Sequence, residues 1–144
     1  MYLIDTSVLS EYRKGAAANA GVLQFFGNTQ SNIMFLPSQV IGEIQMGIAK
    51  LRRRGDDPAM QRADVYELWL DGLIADFGDR ILKFDTEAAR VWGALLSNEK
   101  KDRHTIDKQI AAIALLHELV IVTRDKGEAF SHIHNLRVLN PFND

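Results

Sequence analysis

Asp5, Glu43, Asp107 and Asp125 lie far apart along the chain, yet each stands where a fold could aim a carboxylate into a shared pocket. Asp5 directly follows the apolar run Tyr2-Leu3-Ile4. Asp125 falls just past Leu119–Val122, in the segment Thr123-Arg124-Asp125. Asp107 heads a helical column, because its neighbours three, four and seven residues on are Ile110, Ala111 and Ala114. An ionised carboxylate above such a column is costly unless it is paired or metal-bound. Glu43, by helical steps of about 100°, flanks an apolar stripe and stands above Gly47. If these groups converge, two of them about 4 Å apart repel by roughly 4 kcal/mol at an effective dielectric near 20. Such a cluster either takes up protons or binds cations. All-oxygen donors favour a hard ion, Mg²⁺ or Mn²⁺, over zinc. That ion could lower the pKa of a bound water and neutralise charge developing on a phosphodiester.

Each residue also has a plainer reading. Asp5 and Asp125 suit a cap or a turn. Asp107 suits a first helical turn, favoured by the helix dipole, with Thr105 as the cap. Glu43 suits a solvated surface. The hydroxyls of Thr6, Ser7 and Thr123 lie beside the same strand ends and could orient a water or a phosphate oxygen. For Thr6 and Ser7, capping the helix that follows is an equal alternative. Arg124 could pair with a carboxylate or meet a phosphate.

The elements that must position these groups alternate between strands and helices. Tyr2–Ile4, Ile33–Leu36, Ile81–Phe84 and Leu119–Val122 read as strands, with a last one around Val138. Leu119–Val122 has no polar alternation, as expected of a strand buried on both faces. Helices are expected over Ser7–Lys14, Asn19–Phe26, from Ser38 or Pro37 through Leu51, Ala59–Phe77, Thr86–Lys100 and Thr105–Glu118. The third of these carries Val40, Ile41, Ile44, Ile48 and Leu51 at the three-to-four spacing of an amphipathic helix. Alternation of this kind predicts right-handed βαβ units and a parallel sheet. Ligands bind such sheets at the carboxyl ends of the strands, near a reversal of strand order.

The 144 residues suit one domain spanning 1–144. No cysteine is present, which excludes disulfides, zinc–thiolate sites and a thiol nucleophile. A charge at Asp5 and no long apolar run argue against a signal peptide and a spanning helix, so a cytoplasmic protein with no membrane role is expected. The formal charge of −2 argues against a protein that coats nucleic acid through its whole field, and leaves local basic patches for any such contact.

The order of these residues resembles the PIN-domain family. The matching segments are Leu3-Ile4-Asp5-Thr6-Ser7-Val8-Leu9-Ser10-Glu11, Val40-Ile41-Gly42-Glu43-Ile44-Gln45-Met46-Gly47, Asp107-Lys108-Gln109-Ile110-Ala111-Ala112 and Val122-Thr123-Arg124-Asp125. Gly127, Phe130 and the terminal Asn140-Pro141-Phe142 complete the set. The resemblance spans essentially the whole chain and is nearest the VapC and FitB-like branch, toxins of type II toxin–antitoxin pairs. It implies a three-layer α/β/α fold around a parallel sheet of four to five strands. It implies Mg²⁺- or Mn²⁺-dependent hydrolysis of RNA by a metal-activated water. Asp5, Glu43, Asp107 and Asp125 are then the acidic site residues and metal ligands, and Thr123 is their hydroxyl partner. Thr6, Ser7 and Arg124 support the site or the substrate. The implied partners are a VapB- or FitA-like antitoxin, a second copy of the chain, a higher assembly with the antitoxin, and DNA only through that antitoxin. Many relatives carry Asn at the position of Asp125 and an Asp further on, where this chain has Glu128. Lys108 and Gln109 replace the small or aromatic residues common after the acidic residue, and bear on access to the site.

Other features have their own readings. Lys50, Arg52, Arg53 and Arg54 complement a helix end or contact RNA phosphates. Lys100, Lys101, Arg103 and His104 lead into Asp107. His117 is expected in the core, hydrogen-bonded, and Trp69 and Trp92 in the core or a dimer surface, not as platforms for stacked bases. No nucleophile elbow, phosphate-binding loop or dinucleotide fingerprint is present. A phosphatase with an aspartyl nucleophile would carry a second Asp two residues after Asp5, where Ser7 stands. The rival reading is a FitB-like subunit of a DNA-binding regulatory complex, with little or no catalysis.

Overall fold

The structure, a computed structural model, describes residues 1–97, 104–124, 129–130 and 132–143. The chain opens with β1 (Tyr2–Ile4), α1 (Thr6–Tyr12) and α2 (Ala20–Asn28). Then come β2 (Met34–Pro37), α3 (Ser38–Arg54), α4 (Asp57–Phe77) and β3 (Ile81–Leu82). It closes with α5 (Thr86–Leu95), α6 (Thr105–His117), β4 (Val120–Val122) and β5 (Val138–Leu139). All strands are parallel, in the order β3-β2-β1-β4-β5. The expected parallel sheet is present, at five strands.

Alternation along the strands divides the core into two layers. Ile4, Met34, Leu36 and Val122 face one side, where they pack with Val8 and Leu9 of α1, Val22 of α2 and the apolar stripes of α3 and α4. Leu3, Phe35 and Ile121 face the other, against Ala88 of α5 and the column Ile110, Ala111, Ile113 and Ala114 of α6. The sheet is therefore sandwiched between α1–α4 and α5–α6. Small residues on α6 let it lie close on β1 and β4, which is why that helix is almost wholly apolar.

Helix ends follow local chemistry. Asp56 caps α4 by accepting from the Ala59 amide at 3.2 Å, and Asp85 caps α5 through the Ala88 amide at 2.9 Å. Gly55 takes φ +73° after α3, the left-handed conformation that ends a helix with three arginines in its last turn. Glu118 adopts φ 57° after α6, turning the chain directly into β4.

Several boundaries differ from expectation. β3 stops at Leu82, not Phe84: it pairs only with β2, and that ladder ends at Pro37, which has no N–H to offer. Phe84 turns instead against Trp92, edge to face at 5.7 Å. α5 ends at Leu95 rather than Lys100, with the Ser97 hydroxyl donating to the Ala94 carbonyl at 2.9 Å. Residues 98–103 lie outside the described residues. α6 is preceded by His104 in the cap position, so Thr105 is its first residue and not its cap. His117 is exposed in the last turn of α6, not in the core, where a basic group meets the negative end of the helix. Trp69 packs half-buried against the α1–α4 layer, as expected.

Gly21 in α2 lies against the end of the chain. A Cβ there would stand 2.1 Å from the Pro141 carbonyl oxygen and 2.9 Å from the Asn143 amide nitrogen. Asn19, the cap of α2, binds the same segment, accepting from the Asn143 amide at 2.9 Å. We predict that Gly21→Ala destabilises the protein by about 1–3 kcal/mol, read as a lower urea midpoint at unchanged slope. A midpoint equal to that of the wild type would mean that residues 141–143 do not pack on α2.

Candidate active site

Strand order reverses between β1 and β4, since the chain builds outward from β1 to β3 and then returns to the other side of β1. The carboxyl ends of these two strands carry Asp5 and Thr123. The Asp5 amide donates to the Val122 carbonyl at 2.9 Å, extending the ladder by one bond and fixing both residues at the reversal.

Asp5 has two tasks here. Its Oδ1 accepts from the Thr6 amide at 2.9 Å, so Asp5 caps α1. Its Oδ2 accepts from the Thr123 hydroxyl at 2.8 Å, and Thr123 is 1% exposed. Of the capping readings weighed from sequence, that of Asp5 holds, and those of Thr6 and Ser7 do not, because Asp5 occupies the cap position. The two hydroxyls reach across the fold instead. Thr6 Oγ1 donates to Glu43 Oε1 at 3.1 Å, joining α1 to α3. Ser7 Oγ accepts from the Arg124 amide at 3.2 Å, joining α1 to the loop after β4.

Glu43 is half-buried on the flank of the α3 stripe, as its helical phase implied. Burial pushes its pKa above the ordinary glutamate value, and the charges of Asp5 and Asp107 push it further, against the lowering effect of the Thr6 hydroxyl. Three acidic residues from α3, α6 and the end of β1 thus share one electrostatic neighbourhood. Asp107 stands in the first turn of α6, half-buried, and Ile110, Ala111 and Ala114 beneath it are buried. Its Oδ2 lies 3.4 Å from Nδ1 of His104. The first turns of α3 and α6 are also joined directly, Gln39 Nε2 donating to Gln109 Oε1 at 3.2 Å. That amide pair was not legible in the sequence, where the two residues are 70 positions apart.

Asp125, Gly127 and Glu128 lie outside the described residues, as do Lys100, Lys101 and Arg103. Arg124 is exposed, and its guanidinium sits 4.5 Å from the ring centroid of Phe142. The basic run at the end of α3 is partly committed elsewhere. Arg52 pairs with Asp64 at 3.1 Å and with Glu67, and Arg54 lies 3.4 Å from Asp56. These contacts fasten α3 to α4, a role beyond the two weighed from sequence.

Among the described residues, no three acidic or histidine side chains are grouped closely enough to enclose a metal ion. The donor set still fits a hard divalent ion. Its side chains offer carboxylate oxygens, and Mg²⁺ keeps several waters and needs only one or two carboxylates from the protein. Burial first, and then the charges of Asp5 and Asp107, disfavour the ionised form of Glu43, so a cation beside it would favour that form.

Comparison with known proteins places these observations in context. A family model described as "PIN domain" matches residues 2–136. The chain is 27% identical to "VapC ribonuclease Y4jK" of Sinorhizobium fredii, over 99% of this chain and 98% of that one. It is 28% identical to "Toxin FitB" of Neisseria gonorrhoeae over the full length of both. Among solved structures it is similar to FitAB bound to an IR36 DNA fragment, with a TM-score of 0.80 and 25% identity over 100% of this chain and 97% of that one.

The Glu43 carboxyl gives a pH dependence with a definite sign. A carboxyl whose pKa is raised on folding holds its proton more tightly in the native state. It favours folding below the ordinary glutamate range, and that contribution is lost as pH rises through the raised value. In metal-chelated buffer, Glu43→Gln is therefore expected to be more stable than the wild type at neutral pH, with the advantage vanishing as the solution is acidified below the usual glutamate pKa. Urea midpoints measured across pH check this; a constant difference, or a less stable variant at neutral pH, contradicts it.

Proposed function

The chain belongs to the PIN-domain family, and from that premise we propose that it is a metal-dependent endoribonuclease, the toxin of a VapBC-type toxin–antitoxin pair. The observation that carries this reading is Asp5 at the strand-order reversal, with Thr6 between it and the half-buried Glu43, and it is supported by the effect of the Asp5 and Asp107 charges on Glu43. The relative named as a VapC ribonuclease supports the activity, and the one named as the toxin FitB supports the biological class.

Asp5, Asp107 and Glu43, with Asp125, would hold Mg²⁺ or Mn²⁺. When bound, such an ion supplies neutralisation of charge on the phosphodiester and acidification of its water. The protein's own contribution is orientation. The Thr123 hydroxyl donates to one oxygen of Asp5 and the Thr6 amide to the other, so that carboxylate has a fixed plane. Thr6 holds one oxygen of Glu43 through its hydroxyl. Hydrolysis forms a bond from water oxygen to phosphorus and breaks the bond to the leaving ribose oxygen; the water gives up a proton to solvent and the leaving oxygen takes one up from it. Ser7 tethers the loop that leads to Asp125, and Arg124 faces solvent beside it.

The partners follow from the same premise. A VapB- or FitA-like antitoxin with a basic side chain would neutralise the acidic pocket and block it, and a homodimer and a larger complex with the antitoxin are part of this reading. The similarity to FitAB in complex with DNA favours one further role, regulated DNA binding reached through the antitoxin. In that case the carboxylates serve the antitoxin rather than RNA.

Purified protein freed of antitoxin is expected to cleave single-stranded RNA with Mg²⁺ or Mn²⁺ and to stop when the metal is chelated. Asp5→Asn and Asp107→Asn should each lower the rate by on the order of a hundredfold or more. Asn at position 5 keeps an oxygen for capping α1, so its circular dichroism and unfolding midpoint should stay close to those of the wild type. Equal cleavage by the wild type and both variants would reject the mechanism, and no cleavage of total cellular RNA would favour the regulatory reading.

A further inference from the structure

A groove of about 320 Å³ begins at Thr6 and Glu43 and ends at Arg13, Arg62 and Tyr66. Its walls are α1 and α4, and its floor is α3 from Glu43 to Leu51. At 1.5 Å of rise per residue, Glu43 to Leu51 spans about 12 Å. The cationic end is therefore beyond ion-pair distance of the carboxylates, but in the same channel.

The two arginines differ from their neighbours. Lys14 is held by Glu11, Arg52 by Asp64 and Glu67, and Arg54 by Asp56. Neither Arg13 nor Arg62 has a carboxylate partner among the described residues. Both gather on Tyr66 instead. Arg13 lies 4.4 Å from its ring centroid, with Nη2 3.4 Å from the hydroxyl, and Arg62 lies 5.9 Å from the same centroid. Arg13 also lies 5.7 Å from the Trp69 centroid. A guanidinium stacked on a ring is held in place while its edge keeps N–H donors for an anion. Two like charges drawn to one aromatic ring, in a chain of net charge −2, form a local site for an anion.

We propose that Arg13 and Arg62 form a subsite for a backbone phosphate of a single-stranded RNA, one not adjacent to the scissile phosphate, which lies at the Thr6–Glu43 end of the groove. The proposal rests on the ribonuclease reading above. RNA is favoured over an acidic peptide because one channel joins the cations to the carboxylates, and a polyphosphate chain can occupy both ends, one through the guanidiniums and one through the metal-binding carboxylates. No base stacking is assigned to Tyr66 or Trp69, since Arg13 already covers both rings. In sequence neither arginine is conspicuous: each stands apart from the basic run at Lys50–Arg54.

The test is fluorescence anisotropy of a labelled single-stranded oligoribonucleotide, bound in EDTA over a series of KCl concentrations, so that affinity is read without cleavage. Arg62→Ala and Arg13→Ala should each weaken binding several-fold and reduce the slope of log affinity against log salt by about 0.7, the amount lost with one phosphate contact to a single strand. Arg13→Lys should keep the slope. Arg90→Ala, at an exposed position of α5 on the opposite side of the sheet, should change neither quantity. Urea midpoints measured alongside separate the loss of stacking on Tyr66 from loss of an RNA contact. Wild-type slope and affinity in Arg62→Ala and in the double variant would overturn the proposal. So would unchanged RNA binding with lost binding of a polyglutamate peptide, which would make the groove a peptide site. If the wild type cleaves RNA with Mg²⁺ while the arginine variants keep the slope, only this subsite fails. If the wild type neither binds nor cleaves RNA, the ribonuclease reading fails with it.

Discussion

Carboxylates gathered at one end of a parallel sheet repel each other, and the surrounding structure is organised around holding them there. Glu43 registers the strain most directly, because burial and the charges of Asp5 and Asp107 all disfavour its ionised form. The fold answers with neutral donors. Thr123 and the Thr6 amide bind the two oxygens of Asp5, and the Thr6 hydroxyl binds Glu43. Hydroxyls and amides reduce the cost of burying a carboxylate without cancelling its charge, which is what the proposed metal-binding role requires. Lysines or arginines in those positions would have stabilised the empty protein better and spoiled the site.

That arrangement also explains why the centre of the sheet is so apolar. β1 and β4 lie at the middle of five strands with helices on both faces, so Leu3, Ile4, Ile121 and Val122 are fully buried. A rigid, dry centre is what lets a short loop at the strand ends hold Asp5 and Thr123 in fixed register. The helices bring the other two acids: α3 enters beside the carboxyl end of β2, and α6 lays its small residues against β1 and β4 with Asp107 at its head. The Gln39–Gln109 pair ties those two helix starts together, so the separation of Glu43 from Asp107 is a property of the packed molecule, not of either helix.

Away from the site, the same electrostatic logic sorts the basic residues. Arg52 and Arg54 are satisfied by acids of the α3–α4 hairpin and serve its packing. Among the described residues Arg13 and Arg62 have no carboxylate partner, and the Tyr66 ring positions a guanidinium without neutralising it. Charge along a chain therefore says little about which cations are available to a ligand, since availability depends on what lies opposite in space.

The sequence by itself determined the alternation of strands and helices, the parallel sheet that alternation demands, and the unusual status of Asp107. The apolar column beneath that residue is a local, periodic signal, and periodicity survives without tertiary information. Asp5 after an apolar run was legible for the same reason. What the sequence left open was decided by contacts between distant segments. Asp5, not Thr6 or Ser7, caps α1, which freed both hydroxyls to reach α3 and the loop after β4. The end of β3 was set by a proline on its neighbour, and the end of α6 by the left-handed turn at Glu118 that leaves His117 exposed. Local propensity fixes which elements form, because it depends on neighbours along the chain; a shared pocket, a paired arginine or a strand's last hydrogen bond depends on neighbours across it, and only folding supplies those.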